Sequence, residues 1–322
     1  MHSVVVPVFN RAASSMTTVQ SVLAQETAFP YEVIVVDSNS TDDTSARMQS
    51  LAASVPGRMR YVRKPEEGAS AARNAGIALA RGEIIAVVDD DVRTHAGWLQ
   101  ALVETYRLHP DAWCVGGRIL AQLPETRPSW FSLRPKALMT YVSALDRGDA
   151  TVRLTFPGDV WAANFSVRRD VLTRVGLFDT ALGPAGARRT VGEESELCWR
   201  IQQAGGTVYY CGQAVVSHVI PDARMTKRSF RDRAYWQGRT IALLHAKYSF
   251  EAPEHRLAHT AAVFAKSWAK SLVRPGAVDR DTLFADELAL RFCVGYSHQA
   301  MLVRAGIRLR DGSIPRLRPT DA

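Results

Sequence analysis

The chain has 322 residues, 47% hydrophobic and 22% charged, with 40 Lys and Arg against 32 Asp and Glu for a net charge of +8. That length supports one large or two small domains with ample core, and no apolar run approaches the roughly 18–20 residues that span a bilayer. The positive balance suits phosphate-bearing ligands, anionic membrane surfaces or nucleic acid and selects none of them.

Residues 3–10 read as a short buried strand ended by a polar turn, with Ser14 and Ser15 as caps for a helix running to about residue 25. Residues 31–36 give a second strand, closed by Asp37-Ser38-Asn39-Ser40-Thr41-Asp42-Asp43, and that polar run caps a helix over 44–54. A third strand falls at 60–63, and the Ala-rich stretch 68–80 is strongly helical. It feeds Ile84-Ile85-Ala86-Val87-Val88, whose Ile and Val content reads as a strand buried on both faces.

Asp89-Asp90-Asp91 closes that strand. Carboxylates crowded at a buried strand end repel one another. A divalent cation bridging to phosphate oxygens would hold them, because Mg²⁺ and Mn²⁺ prefer such oxygens; an acidic loop capping the next helix is the plainer alternative. Strand–helix alternation with short connections predicts parallel strands in a layered α/β sheet, with ligands beyond the carboxyl ends of the strands. Polar clusters stand at three such ends (Asn10-Arg11, 37–43 and 89–91), so this half reads as nucleotide-binding. Neither Gly-x-Gly-x-x-Gly after the first strand nor Gly-x-x-x-x-Gly-Lys-Ser/Thr is present, which disfavours dinucleotide oxidoreductases and P-loop enzymes.

A helix at about 97–108 and a strand at 113–120 follow. Residues 121–157 have weak periodicity and include Trp130, Phe131 and Tyr141. A segment of this length serves as a lid or binding loop, its aromatics either stacking on a sugar or packing on the sheet. After residues 156–167 comes a short helix at 169–175, then a Gly- and Arg-containing loop. Glu193 and Glu194 open a helix at 193–201, where the helix dipole favours acidic residues whether or not they carry chemistry. Short strands at 208–211 and 214–216 precede His218, which suits a structural role or a metal ligand.

From residue 221 onward the pattern is helical. Arg224, Lys227, Arg228, Arg231, Arg233 and Arg239 cluster with Phe230, Tyr235 and Trp236, as a solvated face, a phosphate clamp or an anionic-membrane contact. Further helices cover 255–273 and 282–305. Cys114, Cys198, Cys211 and Cys293 form no Cys-x-x-Cys pair, so reduced, buried thiols are expected rather than zinc. With Met1 leading almost directly into a strand, a cytoplasmic location is expected, with peripheral contact at the inner face of the membrane left open.

Over about residues 2–220 the chain resembles an inverting, family 2-type glycosyltransferase. Val6 to Arg11 matches the family's Val-Pro-Val-Phe-Asn-like segment, and Asp37, Ser40, Asp42 and Thr44 its Asp-x-x-Ser-x-Asp-x-Thr segment. Gly68, Ala72, Arg73, Asn74 and Gly76 match Gly-x-x-x-Ala-Arg-Asn-x-Gly. The resemblance implies a GT-A fold, an α/β Rossmann-like mixed sheet flanked by helices, with a helical C-terminal extension. It divides the chain into a catalytic domain at 1–220 (nucleotide-sugar half 1–118, acceptor half 119–220) and a helical region at 221–322.

The same resemblance implies residue roles. Pro7, Phe9, Asn10, Arg11, Asp37, Asp42, Arg73, Asp89 and Asp90 would hold the nucleotide sugar, Asp37 at the base and Arg73 near the phosphates. Asp91, with Asp89 and His218, would hold a divalent cation, Mn²⁺ or Mg²⁺. The segment from Gly158 to Asn164, through Trp161, Ala163 and Asn164, would face the acceptor. Glu193-Glu194 matches a Glu-Asp pair whose second member is the base; Glu at that second position leaves the choice between Glu194 and Glu193 open.

The implied activity is transfer of one sugar, from a UDP-sugar by expectation, to a glycan, lipid-linked or small-molecule acceptor. The Gln/Arg-x-x-Arg-Trp motif of processive synthases is absent. Two rivals stand beside it. A nucleotidyltransferase would want a glycine- and basic-rich signature that residues 6–13 lack, and a non-catalytic sugar-nucleotide-binding protein would use the acidic pair only as a helix start. Nucleic acid is not an expected partner, since the acidic strand ends oppose it.

Overall fold

The computed structural model describes residues 1–65, 68–131, 136–155, 160–186, 188–248, 257–274 and 278–306. They gather into two units: residues 1–122, 143–188 and 193–220 form one, and 123–142, 189–192 and 221–322 the other.

The first unit is built on β1 (His2–Val8), β2 (Tyr31–Asp37), β3 (Met59–Arg63), β4 (Ile84–Val87), β5 (Val92–Thr94), β6 (Ala112–Gln122), β7 (Thr151–Leu154), β8 (Phe165–Arg168) and β9 (Thr207–Val219). They make one sheet in the order β3-β2-β1-β4-β8-β6-β9-β5, with β7 also on β9. Its helices are α1 (Ala12–Leu23), α2 (Thr44–Ser54), α3 (Ala69–Leu79), α4 (Trp98–Leu108), α6 (Arg169–Val175) and α7 (Glu193–Gln203), with α5 (Lys136–Tyr141) belonging to the second unit.

Strands β1 to β4 run parallel, as the alternation with helices dictates. Every residue of β1 and β4 is buried, which is why both read as unbroken apolar runs. Beyond β4 the sheet is mixed: β8 lies antiparallel to β4 and β6, while β9 is parallel to β6 and antiparallel to β5 and β7. Helix α3 packs on β1 and β2, and α4 on β6 and β9.

Several local expectations change. Ser14 and Ser15 do not cap α1, which starts at Ala12. Its entry is fixed by the β2–α2 loop instead, where Thr44 Oγ1 accepts from Arg11 N–H at 3.2 Å and Asp42 from Ala12 N–H at 3.3 Å. The two short strands at 208–211 and 214–216 are one strand, β9, whose pairing with β6 slips between Gly117 and Arg118 so that 212–214 bulge. Strands β5, β7 and β8 are three or four residues long, too short to show a period of two.

The second unit holds α5, α8 (Lys227–Tyr248), α9 (Leu257–Val273) and α10 (Arg280–Arg304). Helices α8 and α10 touch backbone to backbone: a Cβ on Gly238 would lie 2.0 Å from Phe292 O, and one on Gly295 2.0 Å from Tyr235 O. Phe230 of α8 is fully buried, with Trp130, Phe131, Tyr141 and Phe284 ringed around it at centroid distances of 5.2, 5.9, 6.0 and 6.2 Å.

Trp130, Phe131 and Tyr141 therefore pack in the core of the helical unit, with which residues 123–142 group; Phe156 lies outside the described residues. Two of the six clustered basic residues have partners on α10. Arg231 pairs with Glu287 at 2.6 Å, and Arg239 is buried against Gln299 at 2.7 and 2.9 Å. Among the described residues no helix is long and apolar enough to cross a membrane. Phe230→Ala empties the centre of the ring cluster and is expected to lower unfolding free energy by about 3–5 kcal/mol. Denaturant unfolding checks this; an unchanged midpoint would refute the packing described.

Candidate active site

Parallel pairing puts the carboxyl ends of β1, β2 and β4 at one edge, where the three polar clusters meet. Asn10 takes a positive φ of 49°, and its Oδ1 accepts from Thr41 N–H at 2.7 Å. Its own N–H donates to Ser40 Oγ at 3.0 Å. Asp37 is fully buried: one oxygen accepts from Ser40 N–H and the other from the Tyr61 hydroxyl, at 2.8 and 2.7 Å. Asp42 accepts from Thr44 N–H at 3.0 Å and so ties the loop to α2. Pro7 is buried within β1, whereas Phe9 beyond its end stands 45% exposed.

The aspartate run is neutralised by two arginines. Arg11 Nη1 reaches Asp90 at 2.9 Å and Asp91 at 2.6 Å. Asp90 also accepts from Phe9 N–H at 3.2 Å and from Ser15 Oγ at 3.5 Å. Burial pushes the Asp90 carboxyl up to about 7; Arg11 pulls it down, and neighbouring Asp91 pushes it up further.

Arg73 lies on the buried face of α3. It donates to Asp89 at 2.8 Å and to Glu193, the first residue of α7, at 2.5 Å. Burial works against the Arg73 charge, but the carboxylates of Asp89 and Glu193 outweigh it and raise its pKa. The guanidinium bridges a strand end and a helix start that are far apart in sequence. Gly183 makes room there: its φ is +83°, and a Cβ would stand 2.8 Å from Ser70 Oγ and 3.2 Å from Glu193 Cδ.

His218 is brought in by strand pairing. Strand β5 runs antiparallel to β9 with Val92 opposite His218, and Val219 N–H donates to Asp91 O at 2.9 Å. The imidazole Nε2 consequently lies 3.3 Å from Asp91 Oδ1, with both side chains nearly buried. The Asp91 carboxylate suits Mn²⁺ or Mg²⁺, whereas an imidazole nitrogen is foreign to the all-oxygen sphere Mg²⁺ prefers, and the Arg11 guanidinium already places a positive charge on the same aspartate. Among the described residues no three His, Cys, Asp or Glu groups converge as a complete site. Asp89, expected as a third ligand, gives its Oδ1 to Arg73 at 2.8 Å, and ligand and water oxygens would complete the sphere.

On the other flank, residues 162–164 form a single 3-10 turn ahead of β8. Ala162 N–H donates to Glu194 Oε1 at 3.4 Å. Trp161 is half-buried against the core and Ala163 is buried; Gly158 lies outside the described residues. Asn164 is fully buried. It accepts from Trp98 Nε1 at 2.8 Å and donates to the carbonyls of Arg118 and Ala214 at 3.0 and 2.8 Å, so its amide ties β6, β9 and α4 together. It supports the turn at 162–164 from beneath.

Ser15 and Tyr61, missed in the sequence, touch Asp90 and Asp37. Each looks locally like a capping or strand residue, and only the fold brings it to the carboxylate.

The profile of glycosyl transferase family 2 matches residues 3–176. The chain is 33% identical over 244 residues to a glucosyl-dolichyl phosphate glucuronosyltransferase of Haloferax volcanii, covering 74% of this chain and 76% of that protein. It is 27% identical over 216 residues to the succinoglycan biosynthesis protein ExoM of Rhizobium meliloti, covering 67% and 65%. Its fold matches that of the mannosyltransferase PcManGT of Pyrobaculum calidifontis, solved with GDP-Man and Mn²⁺, at a TM-score of 0.61 and 17% identity over 94% of this chain and 87% of that one.

Arg73→Met leaves the buried Glu193 carboxylate uncompensated. It is expected to lower unfolding free energy by about 3–5 kcal/mol, read from chemical denaturation; a loss below about 1 kcal/mol would contradict the bridging role.

Proposed function

The chain belongs to glycosyl transferase family 2, and we propose that it moves one sugar from a nucleotide sugar to an acceptor hydroxyl with inversion, Glu194 serving as the base. The observation that carries this reading is the different use of two adjacent carboxylates. Glu193 is bound by Arg73 inside the protein, whereas Glu194 lies at the acceptor-side turn against Ala162 N–H.

Glu194 takes the proton from the acceptor hydroxyl as that oxygen bonds to the anomeric carbon. The bond from that carbon to the diphosphate breaks, and the nucleoside diphosphate departs with the electron pair. Glu194 then returns its proton to solvent. Attack from the side opposite the leaving group inverts the anomeric centre. Arg73 fixes Glu193, and with it the first turn of α7 that presents Glu194.

The strand-end edge takes the donor, with Phe9, Asn10 and Arg11 at the nucleotide and Asp37 and Asp42 shaping the loop that receives the base. Asp91 and His218 would hold Mn²⁺ or Mg²⁺, which when bound neutralises charge on the departing diphosphate. The Mn²⁺ bound to a protein of the same fold supports that assignment. A UDP-sugar is the donor proposed, with GDP-sugars the alternative that the mannosyltransferase suggests. Lipid-linked glycan leads the acceptor classes, ahead of free glycan and small molecules, because the Haloferax relative is named for a dolichyl phosphate glucoside.

Glu194→Gln is expected to reduce turnover by about 10²–10⁴-fold while donor affinity stays unchanged. Nucleoside diphosphate release with a screened donor and acceptor pair measures the first, and titration calorimetry the second. Undiminished turnover would remove Glu194 from the role of base.

A further inference from the structure

Helix α9 presents an apolar side to solvent. Trp268 is 52% exposed, Leu272 61% and Val273 79%, and Ala262, Ala265 and Ala269 are exposed between them. At about 100° per residue these six fall on one broad strip. The opposite side faces α10, where Cys293 Sγ donates to Thr260 Oγ1 at 3.6 Å. Thr260, Phe264, Ser267 and Ser271 are half-buried on that side, so the strip is the outward side of α9.

The charges beside the strip have one sign. Exposed Lys266 and Lys270 stand one turn apart along its edge, Arg274 follows, and residues 257–274 contain no Asp or Glu. An apolar face carrying Trp and Leu beside a basic row, with acids absent, is the pattern of a helix lying in a bilayer surface. There the aromatic and aliphatic side chains enter the headgroup boundary and the lysines meet anionic headgroups. A second copy fits this face poorly, because a two-fold arrangement brings basic rows together with no acids to offset them.

We propose that α9 is a docking helix for an anionic lipid bilayer, held in the interface plane by Trp268, Leu272 and Val273 and by Lys266 and Lys270. This moves the membrane contact away from the α8 basic cluster, whose Arg231 and Arg239 are taken by Glu287 and Gln299. It concerns the surface of the helical unit and does not rest on the transferase reading.

Sedimentation with vesicles of phosphatidylcholine containing phosphatidylglycerol tests it on the full chain. The wild-type chain is expected to pellet with these vesicles and much less with phosphatidylcholine alone. The double variant W268E/L272E is expected to lose at least about tenfold in apparent partitioning, with an unchanged melting temperature because both positions are exposed. K266E/K270E gives a second variant that removes charge and leaves the apolar strip. Absence of binding to the anionic vesicles, or binding undiminished in both variants, would overturn the proposal. So would a concentration-dependent dimer that W268E/L272E dissolves, which would assign the strip to a second copy.

Discussion

Three consecutive aspartates at the end of a buried strand repel one another unless cations stand beside them; two arginines from earlier in the sequence provide that charge, and burial still pushes Asp90 up to about 7. Arg11, just past β1, spans Asp90 and Asp91. Arg73, buried on α3, takes Asp89 and carries the same charge on to Glu193 at the start of α7. Removing a guanidinium from such an arrangement costs far more than the pair contributes over an apolar replacement, because the carboxylates remain buried. The strand end, the glycine-containing loop at residue 183 and the first turn of α7 are thus fixed together.

That constraint separates the surroundings of two adjacent carboxylates. A pair of adjacent glutamates opening a helix is ambiguous in isolation, since the dipole favours both. Glu193 is committed to Arg73, and Glu194 meets the turn at 162–164 through Ala162 N–H. The neighbouring corner is built by a different device, the antiparallel pairing of β5 with β9, which brings His218 to Asp91 across more than a hundred residues of chain. Asn164 braces the turn at 162–164 by tying β6, β9 and α4 together.

Much of the first half was legible in the sequence because its strands are buried on both faces and its helices follow with short loops. Both patterns are local, and the polar strand ends mark the site. What stayed hidden depends on distant partners. Nothing near residue 12 shows that Asp42 and Thr44 fix the start of α1, and nothing near Arg73 shows that it joins Asp89 to Glu193. Trp130, Phe131 and Tyr141 invite a sugar-stacking reading, yet their hydrophobic area is spent around Phe230 in the helical unit. The basic residues of α8 drew notice by their density, whereas the exposed strip of α9 emerges only when burial separates its two sides.

The most direct test of the donor site is thermal stabilisation by UDP, GDP, TDP and CDP, each with Mn²⁺, Mg²⁺ or EDTA, in the wild-type chain and in Asp91→Asn. A ligand that binds only the folded state stabilises it by mass action, about 2.7 kcal/mol at a hundredfold excess over Kd. One nucleotide is expected to raise the melting temperature with a divalent cation, to lose that effect in EDTA, and to lose it in Asp91→Asn. No rise with any nucleotide and cation, or a rise untouched by EDTA and by Asp91→Asn, would contradict the assignment of this strand-end corner as a metal–nucleotide site.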